Sequence, residues 1–436
     1  MIWIYSDKVT ARLIHTLDFI FKQRGISVHL TNDKSQFLEQ KDQIRFAYSK
    51  DNFGEISTIH PSNLLFEENI QLVDLKKENW LTSDCLKFNG VVDPIASVFY
   101  ILSRYEEYLP FKADEHGRFT AKESILIQFD WLKIPICDVW SEAIIDWISK
   151  KNNHEITIKR GDFNFIPTFD IDNSYAFLLK SSVQLWGGKV KDVLQSNAMR
   201  MGMRESVLSG DEKDPFDTYN EIIKLKQEDV HPYIFWHLGD LKKYDRNISW
   251  TNEAHQRLIQ RMSTFFPVGI HPSYFSNSKP EKVGEERGRL EYIIGKPVYA
   301  SRQHFLKISF PNTFQQLVKM GMKHEFSMGF SDEVGFRMGT ARAFPFFDLV
   351  QNHPTELMLH PFVYMDGTLN QYKNYTPEEA KKIIKDLLLQ VKQFGGDFIC
   401  IWHNETIGES GIWKDWKAVF DYNLTTYKQL VSEHGI

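Results

Sequence analysis

From residue 163 onward the chain repeats one unit: a short apolar run, then a helical segment, then another apolar run. The runs are DFNFIPTFD (162–170), PYIFWHL (232–238), PVGIHP (267–272), VYASRQH (298–304), KHEFSMGF (323–330), ELMLHPFVYMD (356–366) and FICIWHN (398–404). The helical segments fall near 215–228, 253–264, 281–294 and 312–322, with a long polar and helical insertion after the first run. The clearest helix has Thr376 as N-cap, Pro377 at N1, Glu379 completing a capping box and Gly395-Gly396 as its stop. Strands that are apolar on nearly every position are covered on both faces, and strands separated by helices pair in parallel. The pattern predicts an α/β fold with a parallel barrel or sheet. Side chains at the C-terminal ends of such strands share one rim.

The polar residues at those ends are Asp170, Asp172, His237, His271, Arg302, His304, His403 and Asn404. Asp170 and Asp172 stand at i and i+2, which places them on one face of a strand. Like charges so close raise each other's pKa, so a cation, an arginine or open solvent must offset them. The plain alternative is a turn in which Asp172 and Asn173 cap the next segment. His271, followed by Pro272, has the extended backbone of a strand end; alone it reads rather as a core or turn histidine bonded to backbone. Arg302 and His304 repeat the i, i+2 relation. Arg302 can hold a carboxylate ionised and oriented, or sit in a surface salt bridge. His403 at the tip of an apolar strand is a candidate general acid or base. His360, inside LMLHPF, reads as a packed residue. Glu325, Asp332 and Arg337 are candidates for a loop lining the site. The spacing Gly329, Gly335, Gly339 has no phosphate-loop lysine, which argues against nucleotide binding. An aspartate with histidines from neighbouring strands suits Zn²⁺ or a similar divalent ion, and a second carboxylate beside it is a natural base.

Before residue 163 the organisation differs. MIWIYS reads as an opening strand, 93–109 as a helix with a stripe through Ala96, Phe99, Leu102 and Tyr105, and DEHGRF (114–119) as a turn. The polar stretch 149–162 predicts a boundary between an N-terminal α+β domain (1–155) and a C-terminal domain (160–436). A net charge of -5 argues against a nucleic-acid partner held by phosphate contacts. Three cysteines, far apart, fit neither a disulfide framework nor a CxxC metal site and point to a reducing compartment. There is no apolar h-region and no run of about 18 apolar residues. The expectation is a protein without a membrane span, in the cytoplasm.

The segments TFDIDN, GIHPSY, RQHFL, GFRMGT, YMDGTL and WHN, in that order, resemble the successive motifs of polysaccharide deacetylases, the NodB-homology group of carbohydrate esterase family four. DPIASVFYILSRYEEYL and DEHGRF resemble the N-terminal domain of a bacterial subgroup, so the resemblance spans nearly the whole chain. It implies a distorted (β/α) barrel and a divalent metal, usually zinc. It implies Asp170 as base, Asp172 and His271 as metal ligands, Arg302 as the residue orienting the base and His403 as the acid. The family's HxxxH pattern is broken, because Phe275 follows His271 by four and Pro267 precedes it by four. His304 is the substitute ligand, with His237 second. Ile171 separates aspartates that are adjacent in many members, and the aspartate expected near Glu325 or Phe326 is missing. The function implied is removal of acetyl groups from an N-acetylated sugar or glycan. The alternative is a non-catalytic carbohydrate-binding or scaffold protein on the same fold. A glycosidase using Asp170 and Asp172 fits poorly, since its carboxyls must stand about 5–9.5 Å apart across the bond.

Overall fold

The computed structural model describes residues 1–194 and 196–433. The first 150 residues form two small sheets. β1 (Ile2–Ser6), β2 (Val28–Thr31), β3 (Ile44–Tyr48) and β4 (Thr58–Ile59) make a parallel sheet in the order β2-β1-β3-β4. β5 (Leu75–Trp80), β6 (Ser83–Phe88) and β7 (Val91–Val92) make an antiparallel one. The helix expected over 93–109 is shorter, Pro94–Leu102, and buried along its whole length rather than on one stripe, with Tyr105 in a following 3₁₀ turn. Asp93 caps it by accepting from the Ala96 N–H at 2.9 Å, and Tyr48 donates to the same carboxylate at 2.6 Å.

The rest of the chain is a nine-stranded sheet. Its strands are β8 (Phe163–Ile171), β9 (Tyr233–Trp236), β10 (Val268–Ile270), β11 (Ala300–Ser301) and β12 (His324–Glu325), then β13 (Phe344–Asp348), β14 (His353–Leu359), β15 (Tyr364–Met365) and β16 (Gly396–His403). The order is β13-β14-β12-β11-β10-β9-β8-β16-β15, parallel except for the β13–β14 hairpin at one edge. The helix predicted after Thr376 runs Pro377–Phe394 with its capping box intact.

The parallel sheet is as expected; its closure into a barrel is not shown, since among the described residues no ladder joins β14 to β15, although they are consecutive in the chain. The backbone between them is committed elsewhere. Pro361 has no N–H to give, Phe362 N donates to Met328 O, and Val363 N donates to Ile399 O. ELMLHPFVYMD is likewise two strands rather than one, and the hairpin strand β13 carries no periodic signal that marks it in advance.

The regions on either side of 149–162 share buried contacts. One apolar core runs from Ile2 through Phe169 to Leu430. Glu107 is buried between two guanidiniums: Arg337 donates to its Oε2 at 2.6 Å and Arg104 to its Oε1 at 2.7 Å. Asp138 accepts from Arg24 at 2.6 Å and Arg342 at 2.9 Å. The glycine spacing noted above belongs to this contact. At Gly335, φ is +132° and a Cβ would stand 2.3 Å from the Leu132 carbonyl; at Gly339, φ is +64° and a Cβ would meet Cys137 Sγ at 2.7 Å. Removing one partner of a buried pair leaves a charge without compensation. Glu107→Ala is therefore expected to destabilise the whole chain by about 3–5 kcal/mol, read as a lower urea midpoint. An unchanged midpoint would show that the two regions do not depend on this pair.

Candidate metal centre

Three strand ends bring Asp172, His271 and His304 together. β8 stops at Ile171 and Asp172 is the next residue; β10 stops at Ile270 and His271 follows. Parity does not place His304, contrary to the i, i+2 expectation. β11 ends at Ser301, and the chain turns through a short 3₁₀ segment, His304–Leu306, in which Phe305 has φ +60°. The turn swings His304 inward. Its Nε2 lies 3.4 Å from Asp172 Oδ2, and His271 Nε2 lies 3.2 Å from Asp172 Oδ1. One ligand atom from each of the three residues lies within 4.8 Å of the others.

The hydrogen bonds around these rings decide which nitrogens are free. His271 Nδ1 meets the Arg302 carbonyl at 2.6 Å, and a carbonyl only accepts, so Nδ1 carries the proton. Its Nε2 then presents a lone pair to Asp172 Oδ1, a buried oxygen with no hydrogen-bond partner among the described residues. Burial lowers the His271 pKa despite Asp170 and Asp172 nearby, which disfavours a second proton on the ring. Two lone pairs facing each other at 3.2 Å call for a cation, and one carboxylate with two imidazoles is a donor set suited to Zn²⁺. These residues fit the metal that the resemblance implies.

Asp245, which sequence reading passed over, governs His304. His304 Nδ1 donates to Asp245 Oδ1 at 3.1 Å, turning Nε2 toward Asp172. Burial alone would lower the His304 pKa; Asp172 and Asp245 on its two sides outweigh burial and raise it to about 9. A metal held by Nε2 takes the place of that proton, so metal binding weakens as pH falls. His237, the second choice for third ligand, does not reach Asp172 in this way. Its Nδ1 donates to the His271 carbonyl at 3.0 Å and its Nε2 faces Asp245 at 3.3 Å. Asp245 sits in the loop after β9, among polar residues with no periodicity, so nothing local marks it. A carboxylate that fixes a ligand's tautomer is worth about 10–100-fold in metal affinity. Asp245→Asn should lower zinc affinity by that factor in competition with a chelator dye, while Asp240→Asn, a surface pair with Lys282, should not.

The remaining strand-end residues surround this centre. Asp170 is buried, with Oδ2 3.8 Å from His271 Nε2 and Oδ1 3.5 Å from Arg302 Nη1. Arg302 is fully buried between the rings of Phe235 and Phe362 and donates to Thr168 Oγ1 at 2.9 Å. His403 Nδ1 donates to Asp366 Oδ1 at 2.8 Å, and its Nε2 lies 4.0 Å from Asp172 Oδ2. Burial opposes the imidazolium of His403, but Asp366 overcomes it and holds the His403 pKa well above the ordinary value. Asp366 is itself held by the His403 N–H, the Thr406 hydroxyl and the Gly367 N–H. It stands in YMDGTL, a motif quoted above without a role for the aspartate.

Other candidates fall away. Glu325, Asp332 and Arg337 do not line the cavity over the centre. Glu325 is buried and bonded to Ser327, with burial raising its pKa to about 7. Asp332 accepts from the Ala121 N–H at 3.3 Å, and Arg337 belongs to the Glu107 pair. Asn404 donates to the carbonyls of Asn173 and Phe216, holding loops rather than entering the cavity. His360 stacks on Phe326 at 4.4 Å as a packed residue.

Residues 2–153 match the model of a family described as a family of unknown function, DUF7033. No curated protein matches the chain. Among solved structures, a candidate polysaccharide deacetylase of Mycobacterium smegmatis is similar at 13% identity, with 63% of this chain and 84% of that one covered and a TM-score of 0.40. An allantoinase, PuuE, is similar at 12% identity, covering 62% and 85%, with a TM-score of 0.39. A polysaccharide deacetylase of Bacillus cereus is similar at 13% identity, covering 61% and 87%, with a TM-score of 0.31. Among the described residues no helix is long and apolar enough to cross a membrane.

Proposed function

We propose that the protein is a zinc-dependent hydrolase that removes acetyl groups from an N-acetylated sugar or glycan. The observation that carries this reading is the bare Nε2 of His271 aimed at the unpartnered Oδ1 of Asp172, with His304 completing the set and Asp170 and His403 beside it. Asp172, His271 and His304 would hold the zinc, which when bound would polarise the acetyl carbonyl and make the attacking water more acidic.

The chain's own groups then divide the proton work. Asp170 accepts the proton of the attacking water. Arg302, with its neutral partner Thr168 on the other side, holds that carboxylate turned toward the centre. Arg302 cannot drift, because two aromatic faces and the surrounding strands enclose it. His403 enters the reaction carrying a proton on Nε2, since Asp366 secures the charged ring through Nδ1. It delivers that proton to the leaving nitrogen and so releases the free amine.

The test is zinc content by plasma emission together with enzymatic detection of acetate. The protein purified in micromolar zinc should hold about one ion per chain, and it should release acetate from at least one N-acetylated oligosaccharide. Protein that binds no zinc and cleaves no acetylated sugar, O-acetyl or N-acetyl, would end this reading.

A further inference from the structure

This inference rests on the deacetylase reading and concerns which sugars the site takes. The cavity over the metal centre is not built from strand ends alone, because Arg118 from the DEHGRF turn forms part of its wall. Asp114 organises that turn. Its Oδ1 accepts from the backbone N–H groups of His116 at 2.9 Å and Arg118 at 2.8 Å, and its Oδ2 accepts from Arg118 Nε at 2.8 Å. Arg118 Nη1 donates to the Phe305 carbonyl at 2.9 Å, and Nη2 to the Tyr372 hydroxyl at 3.3 Å. A guanidinium has five N–H groups. These contacts use one on each nitrogen and leave one on each terminal nitrogen. Tyr372 also lines the cavity, and its oxygen already accepts from Arg118, so its own proton remains to be given.

A second donor stands on the same wall. Gln303 is 3% exposed and lines the cavity, yet its Nε2 has no hydrogen-bond partner among the described residues. A buried amide donor without a partner is costly in a folded protein. Gln303 lies between Arg302 and His304 in the chain, so the donor is tied to the centre itself. The carboxylate of Glu405 also lines the cavity, but its surroundings are His403, Asp172 and Asp366, on the acid's side. The wall of Arg118, Gln303 and Tyr372 offers unused N–H and O–H donors in a fixed geometry, the Arg118 charge being shared with Asp114.

We propose that this wall is a subsite for an anionic substituent of the N-acetylated sugar, a carboxylate or a phosphate, and that the N-terminal region therefore takes part in substrate selection. Planar, prealigned guanidinium donors suit such oxygens better than they suit hydroxyls, which bring protons of their own. Arg118 and Gln303 act as binding residues; neither touches the reacting atoms.

The experiment uses the zinc-loaded full chain and calorimetric titration with three acetamido sugars: N-acetylglucosamine, N-acetylmuramic acid and N-acetylglucosamine 6-phosphate. At least one charged sugar should bind about 10-fold or more tightly than the neutral one, and the stronger of the two identifies carboxylate or phosphate. Arg118→Ala should erase that preference and Arg118→Lys should keep part of it. If Arg118→Ala does not fold, Gln303→Glu carries the test: a carboxylate on the wall should reverse the preference toward the neutral sugar. Equal binding of all three sugars by the wild type, or a preference that survives in folded Arg118→Ala and Gln303→Glu, overturns the subsite. A preference for charge without acetate release from any sugar leaves the subsite standing and removes the deacetylase reading. Acetate release with no preference does the opposite.

Discussion

Changing His304 to alanine should strip the protein of zinc. The substitution leaves Asp172 and His271 as ligands, and a catalytic zinc site ordinarily needs three from the protein. Zinc per chain should fall from about one to below ~0.1 after dialysis, and acetate release should fall with it. The informative partner is His237→Gln. His237 Nε2 faces Asp245 at 3.3 Å, and Asp245 in turn holds His304, so this change should weaken zinc binding without abolishing it. The experiment separates the two histidines that the missing HxxxH leaves open. Full zinc in His304→Ala together with loss in His237→Gln would exchange their roles.

Asp170→Asn should give a folded, zinc-loaded protein that hardly turns over. The amide has nearly the shape of the carboxylate and can still accept from Arg302 Nη1, but it cannot take a proton from water. General base catalysis contributes about 10²–10⁴-fold, so the maximal rate should drop by that factor with much less change in KM. Two results would count against the assignment. Undiminished acetate release would remove Asp170 as the base. A parallel loss of zinc would make it a ligand, which its 3.8 Å approach to His271 Nε2 makes worth measuring.

The strand ends were legible because an apolar strand buried on both faces has few reasons to finish on a charged residue. Asp170, His271 and His403 each stand at such a finish, and the structure gathers them with Asp172 around one cavity, with Arg302 buried behind Asp170. Asp245 and Asp366 escaped notice for the opposite reason. Each lies in a loop or turn where carboxylates are common, and each acts only through a histidine it meets across a long sequence separation, 59 residues for His304 and 37 for His403. Arg118 is a harder case still, since the turn that carries it lies 187 residues from the Phe305 carbonyl it binds. Glu325, expected in a loop lining the site, is instead the last residue of β12, and its carboxylate is taken up by Ser327.

By itself the sequence determined the alternation of strand and helix, the parallel sheet and the strand-end positions from which a site can be built. Those follow from local patterns of burial and from the reach of the backbone, which act over a few residues. Only the tertiary structure decided that the ladder stays open between β14 and β15, that the N-terminal region shares the core and enters the cavity, and that His304 rather than His237 faces Asp172. The last point goes with a turn in which Phe305 and Leu306 are both left-handed, and with a loop carboxylate that claims one nitrogen of the ring and so frees the other. Such choices depend on which groups meet across the fold and on where each proton then resides, and no spacing along the chain encodes that.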